Sequence, residues 1–306
     1  MNVDCAIVGG GIAGLQAAIQ LGRYRRNALV IDAHDGRSVL CRSYNNLLGW
    51  PEGVSGQELR ELGRSQAEKL GIKFMQARVE KAERSGELFQ LTTDSGTRIQ
   101  TKRLLLATGI MDRLPELPGL LPCLGRSIYV CPDCDGYEIS GKRTVVLGSG
   151  QVGAEMAITL AYWSQDLIYI NHEAADIDEQ QRERLQALGI DYVHEAVASL
   201  ITDGDELRGL VLDSGRRIAA DKGFVAMGGN QVRSELAQQL GVTLHDNRHI
   251  LANPRTKMTN AIHVWSAGDV VAHSEQVSIA MGDGAQAAIW MHKSLLGIPV
   301  PTGEQE

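Results

Sequence analysis

No stretch of this sequence approaches the roughly 18 consecutive apolar residues that a membrane helix needs. The first residues, Met1-Asn2-Val3-Asp4-Cys5, lack the basic and then long apolar segments of a secretion signal. These two absences set the expectation of a soluble, cytoplasmic protein with no membrane partner. Basic excess is also missing. The formal net charge is −7, which argues against a nucleic-acid partner, because such proteins carry a basic face. Cysteine is scarce: five residues, an odd number at irregular spacing, make no disulfide framework. No second Cys-x-x-Cys is present to complete the four ligands of a structural zinc site, so no metal is expected.

What is present is glycine, and it clusters. The chain has 306 residues, 34 of them glycine and 43% hydrophobic overall, enough for one sizeable core or two smaller ones. Two segments share one pattern. Cys5-Ala6-Ile7-Val8 leads into Gly9-Gly10-Gly11-Ile12-Ala13-Gly14, a helix of small residues over 15–21, and Ala28-Leu29-Val30-Ile31 ending at Asp32. Arg143-Thr144-Val145-Val146-Leu147 leads into Gly148-Ser149-Gly150-Gln151-Val152-Gly153, a helix to about Trp163, and Asp166-Leu167-Ile168-Tyr169-Ile170. Each reads as a βαβ unit with apolar, non-alternating strands, as a parallel sheet covered on both faces requires. Two such units predict an α/β protein with two Rossmann-like, three-layer dinucleotide-binding domains. Between 79 and 103, and again between 200 and 218, alternation with turns at Asp94-Ser95-Gly96 and Asp213-Ser214-Gly215 predicts a small antiparallel meander for each domain. A polar helix is expected over 57–70, and the proline-rich run Leu114–Gly119 reads as a linker.

The glycine loops have a chemical purpose available to them. In Gly9-x-Gly11-x-x-Gly14 the first glycine permits the turn, the second lets a pyrophosphate approach, and the third lets helix and strand pack. Asp32 falls 23 residues after Gly9, close to the spacing expected of a ribose-binding acid. The second loop, with Gly148, Gly150, Gln151, Val152 and Gly153 as candidate nucleotide contacts, is followed by Asn171-His172-Glu173-Ala174-Ala175-Asp176. No positive charge appears there before Arg182. A 2′-phosphate calls for a basic partner, so NADPH is disfavoured, and Glu173 is either a ribose-diol ligand or a solvated acid.

Cys131-Pro132-Asp133-Cys134 precedes the second unit and is followed by Asp135. Two intervening residues let the sulfurs close a disulfide, and a Cys-x-x-Cys environment lowers a thiol pKa enough for exchange. Asp135 is placed to relay protons. Cys5, Cys41 and Cys123 are expected to be small buried hydrophobes.

In this order the motifs resemble the low-molecular-weight thioredoxin reductase family of flavoprotein disulfide oxidoreductases. The resemblance spans essentially the whole chain and adds Asn45-Asn46 through Gly53, Ala107-Thr108-Gly109, Trp265 through Val270, and Gln276 through Gly284. It implies a discontinuous FAD-binding domain, residues 1–113 plus 239–306, with a central domain, 114–238, inserted and carrying the cysteine pair. It implies that Gly9, Gly11, Ile12, Ala13 and Gly14 hold the FAD pyrophosphate, with Asp32 and Ala33 at the adenosine ribose. Asn46, Val79, Ala107, Thr108 and Gly109 would also line the FAD site. Gly268 and Asp269 would meet the ribityl chain, and Gln276 and Val277 the pyrimidine edge. Cys134 would face the flavin, Cys131 would attack the substrate disulfide, and Asp135 would be the acid–base group. A homodimer and a thioredoxin-like or small disulfide substrate are implied as well.

Two departures stand out. A basic His-Arg-Arg run is usual where Asn171-His172-Glu173 stands, and Arg-Gln-Ala is usual where Glu275-Gln276-Val277 stands. The first leaves the electron donor open among NADH, NADPH without its clamp, and a non-nicotinamide carrier with a second FAD in the second loop. A dithiol oxidase that uses oxygen, and a flavin redox sensor without turnover, are the alternatives to a disulfide reductase.

Overall fold

The computed structural model describes residues 1–301. They form two compact units: Met1–Val39, Gly56–Met111 and the residues from Gln231 onward make one, and Leu40–Ser55 with Asp112–Asn230 make the other. In chain order, β1 (Asn2–Val8), α1 (Ile12–Arg23) and β2 (Ala28–Asp32) are followed by α2 (Arg37–Leu40), α3 (Gly56–Lys69) and β3 (Lys73–Gln76). Then come β4 (Val79–Ser85), β5 (Leu88–Thr93), β6 (Arg98–Leu106), β7 (Ile110–Met111), α4 (Leu120–Cys123), β8 (Ile128–Tyr129) and α5 (Pro132–Asp135). A short 3-10 turn leads to β9 (Thr144–Gly148), α6 (Gly150–Leu160), β10 (Leu167–Asn171), α7 (Glu179–Ala187) and β11 (Asp191–Val193). The meander strands are β12 (Val197–Asp203), β13 (Glu206–Leu212) and β14 (Arg217–Ala219), before β15 (Lys222–Ala226). The chain continues through β16 (Gln231–Val232), α8 (Glu235–Gln239), β17 (Val264–Ser266) and α9 (Val277–Leu295).

In the first unit the sheet runs β3-β2-β1-β6-β5-β4. β3, β2, β1 and the end of β6 are parallel, while β4, β5 and the start of β6 are antiparallel. β6 therefore serves two partners on one edge, β5 with its first half and β17 with Leu104–Leu106. The turn expected at 94–96 is there: Thr93 N–H donates to the Thr97 carbonyl at 3.0 Å, and Gly96 takes a positive φ of 78°. Lys73–Gln76 carries no strong apolar pattern, and β2 recruits it as a parallel edge strand.

The second unit has the parallel order β11-β10-β9-β15-β8. Its strands are apolar on both faces because both are covered. Val145 and Leu147 of β9 pack with Leu207, Leu210 and Leu212 of the meander, whereas Val146 packs with Ala154 and Ala157 of α6. Both units thus carry the parallel sheet, helix and meander that the sequence predicts. Cys5 and Cys123 are buried as expected, but Cys41 is only half-buried, because it lies on an irregular segment where its thiol meets the Ser43 carbonyl. Burial pushes the Cys5 thiol up to about 12, which leaves it inert. Among the described residues, no helix is long and apolar enough to cross a membrane.

Candidate active site

Cys131 and Cys134 form a disulfide across a Cα–Cα distance of 5.3 Å. The local sequence arranges this. Cys131 is the extended residue just before α5, and Pro132 occupies the first helical position, where a missing N–H costs nothing. One turn later the Cys134 N–H points back at the Cys131 sulfur, 3.2 Å away. The chain then passes Gly136, where a Cβ would come within 2.8 Å of the Trp163 ring, so only glycine lets the turn pack there.

Asp135 follows the pair directly. Burial, reinforced by the charge of Glu138, pushes its carboxyl up to about 7, against the pull of a hydrogen bond from Asn45 and the charge of Lys222. A carboxyl group in that range can both give and take a proton at neutral pH. Asn45 is a residue that the sequence does not single out; the resemblance implies a role at the FAD site for its neighbour Asn46. It is held by a web of short contacts: the Ser43 hydroxyl donates to Asn45 Oδ1 at 2.7 Å, Tyr44 and Val54 exchange backbone hydrogen bonds, and Arg42 N–H donates to the Leu124 carbonyl. No local sequence pattern announces this, because 45 and 135 meet only through tertiary packing. Asn46 lies on the same segment, which packs with the second unit.

The first glycine loop sits between β1 and α1 in the first unit. Gly9 has a φ of 106°, and a Cβ on it would overlap the Ala107 carbonyl oxygen. A Cβ on Gly14 would overlap the Gly9 carbonyl oxygen. Gly11 is different: its φ is −76°, and a Cβ would meet only Ser38 Oγ, at 3.8 Å. The fold itself does not require glycine at 11, so the reason lies in something that approaches from outside. This is the fit expected of a pyrophosphate over the first turn of α1, where Ile12 and Ala13 stand. Asp32, at the end of β2, accepts from Gly10 N–H at 3.1 Å and from Arg60 at 2.7 Å. Burial would raise this carboxyl, but Arg60 and Gly10 outweigh it and hold it below the usual range. An ionised carboxylate with two such bonds keeps capacity for a diol. Arg60, buried on α3, also donates to the Gly10 carbonyl at 2.9 Å, so it clamps loop and acid together. The sequence gives no hint of it, because charged residues on a polar helix are usually solvated.

Of the other predicted residues, Ala107 and Gly268 stand against this loop. A Cβ on Gly268 would meet Ala13 Cβ at 2.9 Å, and a Cβ on Gly284 would overlap the Ala13 carbonyl. Ala107 N–H continues the ladder to Val8, and Thr108 and Gly109 are tied to Arg233 by hydrogen bonds to and from its backbone. Ala33 directly follows Asp32, and Val79 begins β4 shortly after Ala77, whose N–H donates to the Asp32 carbonyl at 3.1 Å. Asp269 accepts from Arg37 at 3.3 Å, and Gln276 and Val277 open α9.

In the second loop all three glycines have reasons inside the chain. Gly148 closes on Gly153 and Gly153 on the Tyr169 ring, and Gly150 has a φ of 51° with Ala175 against it. Tyr169 Oη donates to the Gly150 carbonyl at 2.6 Å. Gln151 and Val152 lie in the first turn of α6, at the C-terminal edge of the parallel strands, where open α/β sheets bind their ligands.

The model of the pyridine nucleotide-disulphide oxidoreductase family matches residues 3–284. The chain belongs to that family. It is 28% identical to a thioredoxin reductase of Streptomyces clavuligerus over 92% of this chain and 91% of the relative. An oxidoreductase from Agrobacterium tumefaciens superposes with a TM-score of 0.79 at 30% identity, over 97% of this chain and 99% of that one. The crystal structure of HlmI gives a TM-score of 0.85 at 29% identity, over 97% and 93%. The protein is a thioredoxin reductase-like flavoprotein oxidoreductase, of a family that uses FAD and a nicotinamide nucleotide.

Both departures from the family pattern have a structural setting. Glu275 accepts from Arg37 at 2.6 Å and stands 3.7 Å from His249, so its charge is taken up within the first unit. Asn171 is buried at the end of β10, its Oδ1 accepting from Gly150 N–H at 3.0 Å. Glu173 is ion-paired with Arg113, the residue just before the proline-rich run.

Proposed function

We propose that this protein reduces an external disulfide, taking electrons from a nicotinamide dinucleotide at the second glycine loop and delivering them through Cys131 and Cys134. The observation that carries this reading is a disulfide placed next to a buried carboxyl group whose pKa lies near 7. FAD, when bound, supplies the two-electron transfer between the nicotinamide and the dithiol. Gly9, Gly11, Ile12, Ala13 and Gly14 would hold its pyrophosphate and Asp32 its adenosine ribose. Ala33, Val79, Ala107, Thr108, Gly109, Gly268, Asp269, Gln276 and Val277, all in the first unit, would complete the site.

Once the pair is reduced, the Cys131 thiolate attacks one sulfur of the substrate disulfide. A mixed disulfide forms, and the departing thiolate takes a proton from Asp135. The Cys134 thiolate then attacks the Cys131 sulfur, re-forms the internal disulfide and expels the second substrate sulfur as a thiolate, which takes its proton from solvent. Asp135, left ionised by the first transfer, takes a proton back from solvent before the next cycle. A thioredoxin-like protein is the first substrate to try, given relatives named thioredoxin reductase. The donor favoured by the charges is NADH, because Asn171, His172 and Glu173 offer no cation of their own for a 2′-phosphate. The test is anaerobic turnover of a thioredoxin with NADH. Cys131→Ser and Cys134→Ser should each abolish it, and full activity in either variant would sink the proposal.

A further inference from the structure

Asp283 lies on the buried face of α9, with its side chain only 5% exposed. Burial would raise its carboxyl, but His273 and Lys257 outweigh that and hold it below the usual carboxylate range. Lys257 Nζ pairs with Oδ1 at 2.7 Å. His273 Nε2 donates to Oδ2 at 2.6 Å, and Gly268 N–H donates to the same oxygen at 3.1 Å. One buried carboxylate thus gathers two cations and a backbone donor, all from the chain that precedes its helix.

The geometry also fixes the state of the His273 ring. Nε2 faces a carboxylate, and Nδ1 faces the Ser274 carbonyl oxygen at 2.9 Å. Two acceptors require two N–H donors, and only the imidazolium has both. The bond to Asp283 raises the His273 pKa above its ordinary value, against burial and the charge of Lys257. Glu275, two residues on, is taken up by Arg37 at 2.6 Å and stands 3.7 Å from His249.

Gly268 and His273 are the two ends of one loop. Val271 N–H donates to the Gly268 carbonyl and His273 N–H to the Val271 carbonyl, each at 2.9 Å, so Asp283 Oδ2 ties both ends to α9. The loop contains Asp269 and runs on to Gln276, the residue before α9. Its first residue stands against Ala13 of the first glycine loop.

We propose that Asp283 and protonated His273 are positioning residues that pin the Gly268–Gln276 segment for FAD, so that the protein releases its flavin faster once His273 loses its proton. This rests on the reading above that Gly268, Asp269 and Gln276 line the FAD site. A neutral imidazole has one N–H and must give up one of its two acceptors. Losing Asp283 frees the loop from α9, and losing the Ser274 carbonyl frees the approach to Gln276. Deprotonation also removes a positive charge from the side of the site that meets a dianionic pyrophosphate.

Release of flavin from the full-length holoprotein, followed as the rise of free-FAD fluorescence after dilution, tests this without turnover. Asp135 titrates near 7, so Asp135→Asn serves as the parent for every comparison. In that parent the release rate should rise about tenfold between about pH 6 and about pH 9.5, the scale of one hydrogen bond to a charged group. His273→Gln and Asp283→Asn should release flavin at the faster rate throughout, and Asp283→Glu should restore part of the step. His249→Gln should keep the step, because that ring faces Glu275. A flat profile in the parent, or a step that persists in His273→Gln, overturns the proposal. Failure of the full chain to take up FAD at any pH overturns the FAD-site reading beneath it.

Discussion

A carboxyl group buried beside Glu138 keeps its proton to about pH 7, and this gives Asp135 a measurable signature. The group ionises near 3.8 when unfolded but near 7 when folded. Between those values the folded state binds the extra proton, so this contribution to stability is complete below the lower value and is lost as pH rises through the upper one. Asp135→Asn removes the penalty. Its melting temperature should exceed that of wild type at pH 8, by roughly a few degrees, with no gain at pH 3.5. The same variant should lower disulfide turnover by about a hundredfold, the loss of one general acid. Asn45 favours the ionised form, so Asn45→Ala should raise the pKa further and move the alkaline fall of the rate profile to higher pH. An unchanged profile would remove Asn45 from the account. Cys131, Cys134 and Asp135 were legible in the sequence because they are contiguous. Asn45, Arg60 and Arg113 were not, because each reaches its partner across tens of residues of chain.

The glycine loops show how an element's sequence separates folding from binding. Gly9 and Gly14 are required by neighbouring backbone, whereas Gly11 faces room. Gly9→Ala should therefore destabilise the protein whether or not flavin is present. Gly11→Ala should leave the melting temperature of the flavin-free protein near wild type and weaken FAD binding by roughly tenfold, because the added methyl meets the ligand and not the chain. Equal FAD affinity in Gly11→Ala and wild type would show that the pyrophosphate lies elsewhere. The strands flanking both loops were readable as apolar runs, and both meanders from their alternation and turn glycines. β3 was not readable: its place depends on β2 offering a parallel edge, which Lys73–Gln76 does not itself encode. The Arg37–Glu275 pair was equally hidden, since it joins residues 238 apart.

At the scale of the molecule, two units have separate cores, and the first glycine loop belongs to one while the Cys131–Cys134 disulfide belongs to the other. The repeat of one βαβ pattern made this duplication legible. The packing of Leu40–Ser55 with the second unit was not, because that loop has no periodic pattern. Ligand linkage gives a prediction here: FAD at a hundredfold excess over its Kd should stabilise the unit that binds it by about 2.7 kcal/mol. Scanning calorimetry should then show the thermal transition of Met1–Val39, Gly56–Met111 and the residues from Gln231 onward moving upward. In the proposed function, Cys131 and Cys134 form a second two-electron centre in series with the flavin. Anaerobic titration with dithionite, which bypasses the nucleotide donor, tests it most directly. Wild type should consume twice as much dithionite per flavin as the Cys131→Ser/Cys134→Ser variant before reduction is complete. Equal consumption by the two proteins would contradict it.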